Sequence, residues 1–144
     1  PASLSPLSLS LEDTEAFNRM MDAGRLPSKS EEEKSVKAEA QESAGKLGVN
    51  VPMETSESAF RILEMASVLV EKGNPNSVSD AGVAGEMAHG AVRGGIMNVM
   101  INLPGIHDAG FVQDATEKAQ NLLAKADELH AEVFTKTMTA ITGK

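Results

Sequence analysis

The sequence predicts an all-α fold, an up-and-down bundle of about five helices. Three observations lead there. Apolar residues recur at helical spacing through most of the 144 residues, and no stretch alternates with the period of two that a half-buried strand requires. Aromatic residues are scarce, four Phe with neither Trp nor Tyr, so the core is left to Ala, Leu, Val, Ile and eight Met, which suits closely packed helices. Capping residues and Gly or Pro breakers then cut the pattern into segments of helical length.

Taken in order, residues 1–9 (PASLSPLSL) read as an irregular lead-in, and residues 10–144 as one helical domain. Ser10 can cap a first helix whose face carries Ala16, Phe17, Met20 and Met21, with Gly24 and Leu26-Pro27 ending it. Ser30 to Glu33 (SEEE) has the form of a capping box and opens a second, mostly polar helix; its end is weakened by Gly45 and Gly48. Pro52 suits the start of a third helix, with Ala59, Ile62, Leu63, Ala66, Leu69 and Val70 on one face and Gly73 as its stop. The fourth is expected from near Ser77–Asp80 to about Leu103, where Pro104-Gly105 breaks it. Asp108 can cap a fifth, in which Val112, Ala115, Ala119, Leu122, Ala126, Leu129 and Val133 alternate steps of three and four, a coiled-coil-like seam.

Composition narrows the function classes. A net charge of −8 argues against a nucleic-acid partner, whose phosphates it would repel. The absence of cysteine excludes disulfides and thiolate chemistry, and the three His show no metal-ligand spacing, so no metal is expected. No apolar run approaches the roughly 20 residues of a membrane span, and the expected location is cytoplasmic. Phosphate-loop, nucleophile-elbow and dinucleotide-binding fingerprints do not occur.

The most informative segment is Gly73 to Asn102. A turn, Gly73-Asn74-Pro75-Asn76, leads into Ser77-Val78-Ser79-Asp80 and then a helical stretch with glycines at 82, 85, 90, 94 and 95 and asparagines at 98 and 102. Each interior glycine costs a helix roughly 1 kcal/mol relative to Ala, so close approach of another helix or of a ligand must offset it. With Asp13-Thr14-Glu15-Ala16-Phe17, Leu26-Pro27, the charged run Glu31 to Lys34, Val51-Pro52, Ser79-Asp80-Ala81-Gly82-Val83 and Asn98-Val99-Met100-Ile101-Asn102, this ordered set resembles the cyclodeaminase/cyclohydrolase family of folate enzymes. The likeness spans about Leu11 to Thr142. It implies that two further helices, preceded by a Pro-Gly-Gly-Gly-Ser-like loop, stand before the region that begins here at Pro1.

The resemblance implies action on the carbon that bridges N5 and N10 of tetrahydrofolate, as a methenyltetrahydrofolate cyclohydrolase or a formiminotetrahydrofolate cyclodeaminase. A folate derivative is then the substrate, no further cofactor is needed, and a homodimer is expected. Asp13 matches the aspartate of the family's Asp-x-x-Ala-Phe motif, associated with catalysis; with Ser10 as cap it would equally be a helix-stabilising acid at the third helical position. Phe17, Asn74, Asn76, Asp80, Asn98 and Asn102 are the candidate substrate-binding residues. The Asn74–Asp80 cluster also suits an ordinary turn and cap, and Asn98 and Asn102, on one face, could simply tie neighbouring helices together. A non-catalytic assembly module, or an inactive fragment of such an enzyme, is the alternative.

Overall fold

The computed structural model describes residues 6–72 and 77–143, with the side chains of residues 6–10, 12 and 13 left aside. The described residues are all helical or in short connections, with no strand. Four long helices replace the five expected: α1 Pro6–Arg25, α2 Glu31–Lys72, α3 Val78–Asn102 and α4 Ala109–Thr142, with a single 3-10 turn at Leu103–Gly105.

The difference in number arises at Pro52. The second and third expected helices are one continuous 42-residue helix, with Pro52 inside it. A proline there cannot donate to the carbonyl four residues back, which normally breaks or kinks a helix. That carbonyl belongs to Gly48, and the side-chain amide of Asn102 donates to it at 2.9 Å. An amide from α3 therefore replaces the one that Pro52 lacks. Gly45 and Gly48 do not end the helix either. A β-carbon at Gly45 would lie 3.4 Å from Ile106 Cγ1, and one at Gly48 would lie 3.3 Å from Met20 Sδ, so both glycines make room for neighbouring side chains.

The start of α1 is a second correction. It begins at Pro6, not after Ser10, so residues 6–9 are helical and Ser10 lies within the helix. Proline is favoured at a first helical position, where its fixed φ fits and its missing N–H would be unpaired anyway. The other ends follow expectation. Ser30 and Glu33 form the reciprocal capping box, Glu33 N–H donating to Ser30 Oγ (3.1 Å) and Ser30 N–H to Glu33 Oε2 (3.2 Å). Asp108 Oδ1 accepts from Phe111 N–H at 3.0 Å and caps α4. Lys37 Nζ donates to the Gly24 and Leu26 carbonyls, closing the end of α1.

Paired contacts give the topology. Gly48 meets Met20 and Asn102, Lys37 meets Gly24 and Leu26, Gly95 meets Ser56, and Gly85 meets Leu63 and Ala66, so α2 runs antiparallel to both α1 and α3. Gly82 against Thr137 and Gly85 against Val133 set α4 antiparallel to α3. The core is the volume among α2, α3 and α4, centred on Val49, Leu63, Val92, Val99, Ala119, Ala126 and Val133. The heptad seam of α4 is spent here: Ala115, Ala119, Ala126 and Val133 are buried, and Val112, Leu122 and Leu129 pack at the edge. No helix among the described residues is long and apolar enough to cross a membrane.

Candidate functional site

The glycines of α3 divide into two groups. A β-carbon at Gly95 would run into Ser56 Oγ and lie 2.9 Å from the Pro52 carbonyl oxygen. Ser56, fully buried, donates its hydroxyl to that same carbonyl at 2.9 Å, with the Val92 carbonyl at 3.2 Å. Gly82 and Gly85 are pressed against Thr137 and Val133 of α4. These three glycines serve helix packing. Gly90 and Gly94 have open space above them.

Around Gly48, three helices converge. Met20 of α1 lies over it and the Asn102 amide of α3 reaches its carbonyl, while Nδ2 of Asn102 also donates to the Asn98 carbonyl at 3.0 Å. Asn102 thus has a structural task, and its neighbour Asn98, one turn earlier, is exposed. Along α1, positions 13, 17 and 20 recur at i, i+4 and i+7 and so share a helix face. Phe17 is 62% exposed, available to a ligand or a covering element. The backbone of Asp13 lies in α1, but its side chain falls outside the described residues. Asp13 is nevertheless the eighth residue of α1, so the reading of it as a first-turn acid beside a Ser10 cap no longer applies.

The remaining candidates lie elsewhere. Asn74 and Asn76 fall outside the described residues. Asp80 is exposed in the first turn of α3, where the macrodipole favours an acid. Eighteen residues of helix separate it from Asn98, about 27 Å at 1.5 Å per residue. Asp80 and the Asn98–Asn102 pair therefore mark opposite ends of α3, not one cluster.

Two polar assemblies carry chemistry that the linear reading passed over. Across α3 and α4, His89 Nε2 is 2.6 Å from Asp127 Oδ1 and His130 Nε2 is 2.7 Å from Glu86 Oε1. The two imidazole rings stack with centroids 4.0 Å apart. The available signal was a carboxylate three residues before each His, Glu86/His89 and Asp127/His130, which places both on one face of each helix. Among the described residues no group of three or more His, Asp or Glu is arranged to hold a metal ion.

The second assembly is a cleft of about 680 Å³ lined by Glu39, Glu42, Lys46, His107 and Asp108 among others. Glu42 accepts from the backbone N–H of His107 (2.9 Å) and of Asp108 (3.0 Å), and these donors hold its carboxyl below the ordinary carboxylate value. Lys46 Nζ, 2.6 Å from Asp108 Oδ2, and then the Phe111 amide do the same for Asp108. Both carboxylates are engaged in pinning the α3–α4 connection to α2.

Comparison with known proteins covers most of this framework. The family model for formiminotransferase-cyclodeaminase matches residues 4–121. A methenyltetrahydrofolate cyclohydrolase of Methylorubrum extorquens is 33% identical over 123 residues, covering 85% of this chain and 59% of the relative. The formimidoyltransferase-cyclodeaminase of Gallus gallus is 31% identical over 122 residues, covering 85% of this chain and 23% of that protein. In three dimensions, a formiminotetrahydrofolate cyclodeaminase from Thermotoga maritima superposes with a TM-score of 0.71 at 26% identity, over 94% of this chain and 61% of that one. This chain thus spans 59%, 23% and 61% of the lengths of these three relatives. The helical framework and the match along residues 4–121 together show that the chain belongs to the formiminotransferase-cyclodeaminase family.

Proposed function

We propose that this chain is part of an enzyme of tetrahydrofolate one-carbon metabolism that acts on the carbon bridging N5 and N10. The observation that carries this reading is the match of the family model along residues 4–121, joined to relatives named for two reactions at that carbon. In cyclohydrolysis water adds to the methenyl carbon and one C–N bond then breaks. In cyclodeamination N10 attacks the formimino carbon at N5 and ammonia leaves. Each needs a group that takes a proton and returns it, and a carboxylate serves for either. Asp13 is the residue proposed for it. Its support is the family motif and its place in the second turn of α1 or beyond, where capping gives it no purpose. Phe17 shares the face of Asp13, and an exposed aromatic there suits the flat pterin ring. Cyclohydrolysis is the favoured activity, since the cyclohydrolase is 33% identical, against 31% for the avian bifunctional protein and 26% for the Thermotoga cyclodeaminase.

The test is turnover of both substrates by the purified protein, with and without Asp13→Asn. The variant is expected to keep its folate affinity and lose about 10²-fold or more in kcat. Near-native turnover of either substrate by the variant would remove Asp13 from the mechanism.

The protein is also proposed to self-associate, at least as a dimer. Support comes from α3, which leaves Val83, Met87, Met97 and Ile101 between 59% and 76% exposed. A non-catalytic assembly module would use the same surface but show no turnover of either substrate.

A further inference from the structure

Asn98 and Asn102 carry hydrogen-bonding capacity that the fold leaves unused. Nδ2 of Asn102 donates to the Gly48 and Asn98 carbonyls, at 2.9 and 3.0 Å. Two carbonyl partners fix which end of that amide is nitrogen, so the acceptor Oδ1 is the end left over. Among the described residues no donor meets Oδ1, and no unpaired side-chain polar atom is buried, so Oδ1 stands open to a ligand. Asn98, exposed one turn earlier, makes no side-chain hydrogen bond among the described residues.

What faces this pair follows from the topology. α1 and α3 each run antiparallel to α2 and therefore parallel to one another. Gly48 sets their relative level, since its β-position is 3.3 Å from Met20 Sδ and 3.7 Å from Asn102 Nδ2. At about 1.5 Å per residue, Phe17 lies about 4.5 Å back from Met20 along α1, and Asn98 about 6 Å back from Asn102 along α3. Phe17 and Asn98 thus stand level on either side of α2. Position 13 falls level with Gly94–Gly95 by the same count, about 10 Å back. Phe17 is 62% exposed, and no atom lies within 4 Å of the β-position of Gly94. An aromatic face on one wall and two amides on the other suit a flat heterocycle with a hydrogen-bonding edge. An apolar covering helix would leave both amides unsatisfied, at a cost.

The pteridine of tetrahydrofolate has such an edge, along which the 2-amino group, N3–H, the 4-oxo oxygen and N5 follow one another. With the ring on Phe17, the 2-amino group and N3–H donate to Asn102 Oδ1, and the Asn98 amide donates to the 4-oxo oxygen. N5 comes next along the edge, so the carbon that bridges it to N10 lies toward position 13, where Gly94 leaves room on the facing helix. The reverse orientation would carry that carbon toward Met20, away from Asp13. We infer that Asn98 and Asn102 are specificity-determining residues that read the pyrimidine edge of the pteridine and so orient the bridge carbon toward Asp13. The inference rests on the folate reading proposed above and gives it a direction.

The test is calorimetric binding of tetrahydrofolate and of its 2-desamino analogue. Asn98→Ala removes an amide with no structural partner. Asn102→Ala is made beside Pro52→Ala, which returns a helical donor to Gly48 and so separates the ligand role of Asn102 from its structural one. Loss of the 2-amino group should weaken binding to the wild type and to Pro52→Ala by about 3- to 10-fold. Adding Asn102→Ala to Pro52→Ala should weaken tetrahydrofolate by a similar factor and the analogue no further. Asn98→Ala should weaken both ligands alike with Tm unchanged. An Asn98→Ala that binds both ligands as the wild type does, or a 2-amino effect that persists without Asn102, would overturn the orientation while leaving the folate reading standing. A double variant that fails to fold leaves Asn98→Ala to decide. A wild type that binds neither ligand would overturn the orientation and the folate reading together.

Discussion

Asn102→Ala tests the most consequential contact in the bundle. In the wild type the Gly48 carbonyl, deprived of its helical partner by Pro52, accepts the Asn102 amide at 2.9 Å in a partly buried setting. Removing that amide leaves a buried acceptor unpaired, which costs about 1–3 kcal/mol. At about 2–4 °C per kcal/mol for a chain of this size, Tm should fall by roughly 2–12 °C. The mechanism makes a sharper claim than the magnitude. Pro52→Ala restores a backbone N–H that can donate to Gly48 within the helix, so in that background Asn102→Ala should cost only the bond to the Asn98 carbonyl, about 0.5–1 kcal/mol. The assay is a double-mutant cycle by urea denaturation. Coupling of about 1 kcal/mol or more is expected. Equal costs of Asn102→Ala in the two backgrounds, within about 0.3–0.5 kcal/mol, would refute the claim that Asn102 stands in for the amide Pro52 lacks.

Two further predictions concern packing and pH. Gly95→Ala drives a methyl group into Ser56 Oγ and the Pro52 carbonyl and should destabilise by about 1–3 kcal/mol, as overpacking does, whereas Gly24→Ala, with open space at its β-position, should be neutral or stabilise by up to about 1 kcal/mol. Equal denaturation midpoints for the two variants would sink that assignment. Glu42 is held below its ordinary value of 4.5 by the amides of His107 and Asp108, so its stabilisation is full above that pH and disappears as pH falls through the lowered folded-state value. Glu42→Gln should therefore be less stable than wild type at neutral pH, with the gap narrowing as pH falls below 4.5; a gap unchanged across that fall would exclude Glu42 as the titrating group.

The helical class, the Ser30–Glu33 and Asp108 caps, the limits of α3 and the inner face of α4 were legible because each is a local signal. A capping box needs only four residues, and a heptad line declares its own face. The fusion at Pro52 was not legible. A proline and two nearby glycines ordinarily end a helix, and what reverses that rule is an amide 54 positions away in sequence. The start of α1 failed for a local reason: a Ser- and Pro-rich run reads as loop unless Pro6 is weighed as a first-turn residue. The His89–His130 stack escaped because each ring meets a carboxylate on the facing helix, 38 and 44 residues away. Of the candidate site, the family motif marked Asp13 and Phe17, but nothing in one dimension separated Asn102, which completes a backbone, from Asn98, which stays exposed.

That separation changes how the site has to be dissected. Asn102, Gly48 and Met20 tie α3, α2 and α1 together at one point, and Met20 lies one turn beyond Phe17 on the face that also carries position 13. A substitution at Asn102 can therefore weaken catalysis by releasing α1, without the amide ever touching substrate. The seat of α1 is slight: Ala16 and Ala23 are its buried apolar residues among those described, while Leu11, Phe17, Met20 and Met21 remain between 42% and 64% exposed. On the proposed folate reaction, residues that hold α1 and residues that would contact the substrate differ in their kinetic signature. Loss at the former should lower Tm and kcat/KM together, whereas loss at Asp13, the proposed proton carrier, should lower kcat with Tm nearly unchanged. The split between those two signatures, more than loss of activity alone, assigns each residue to folding or to chemistry.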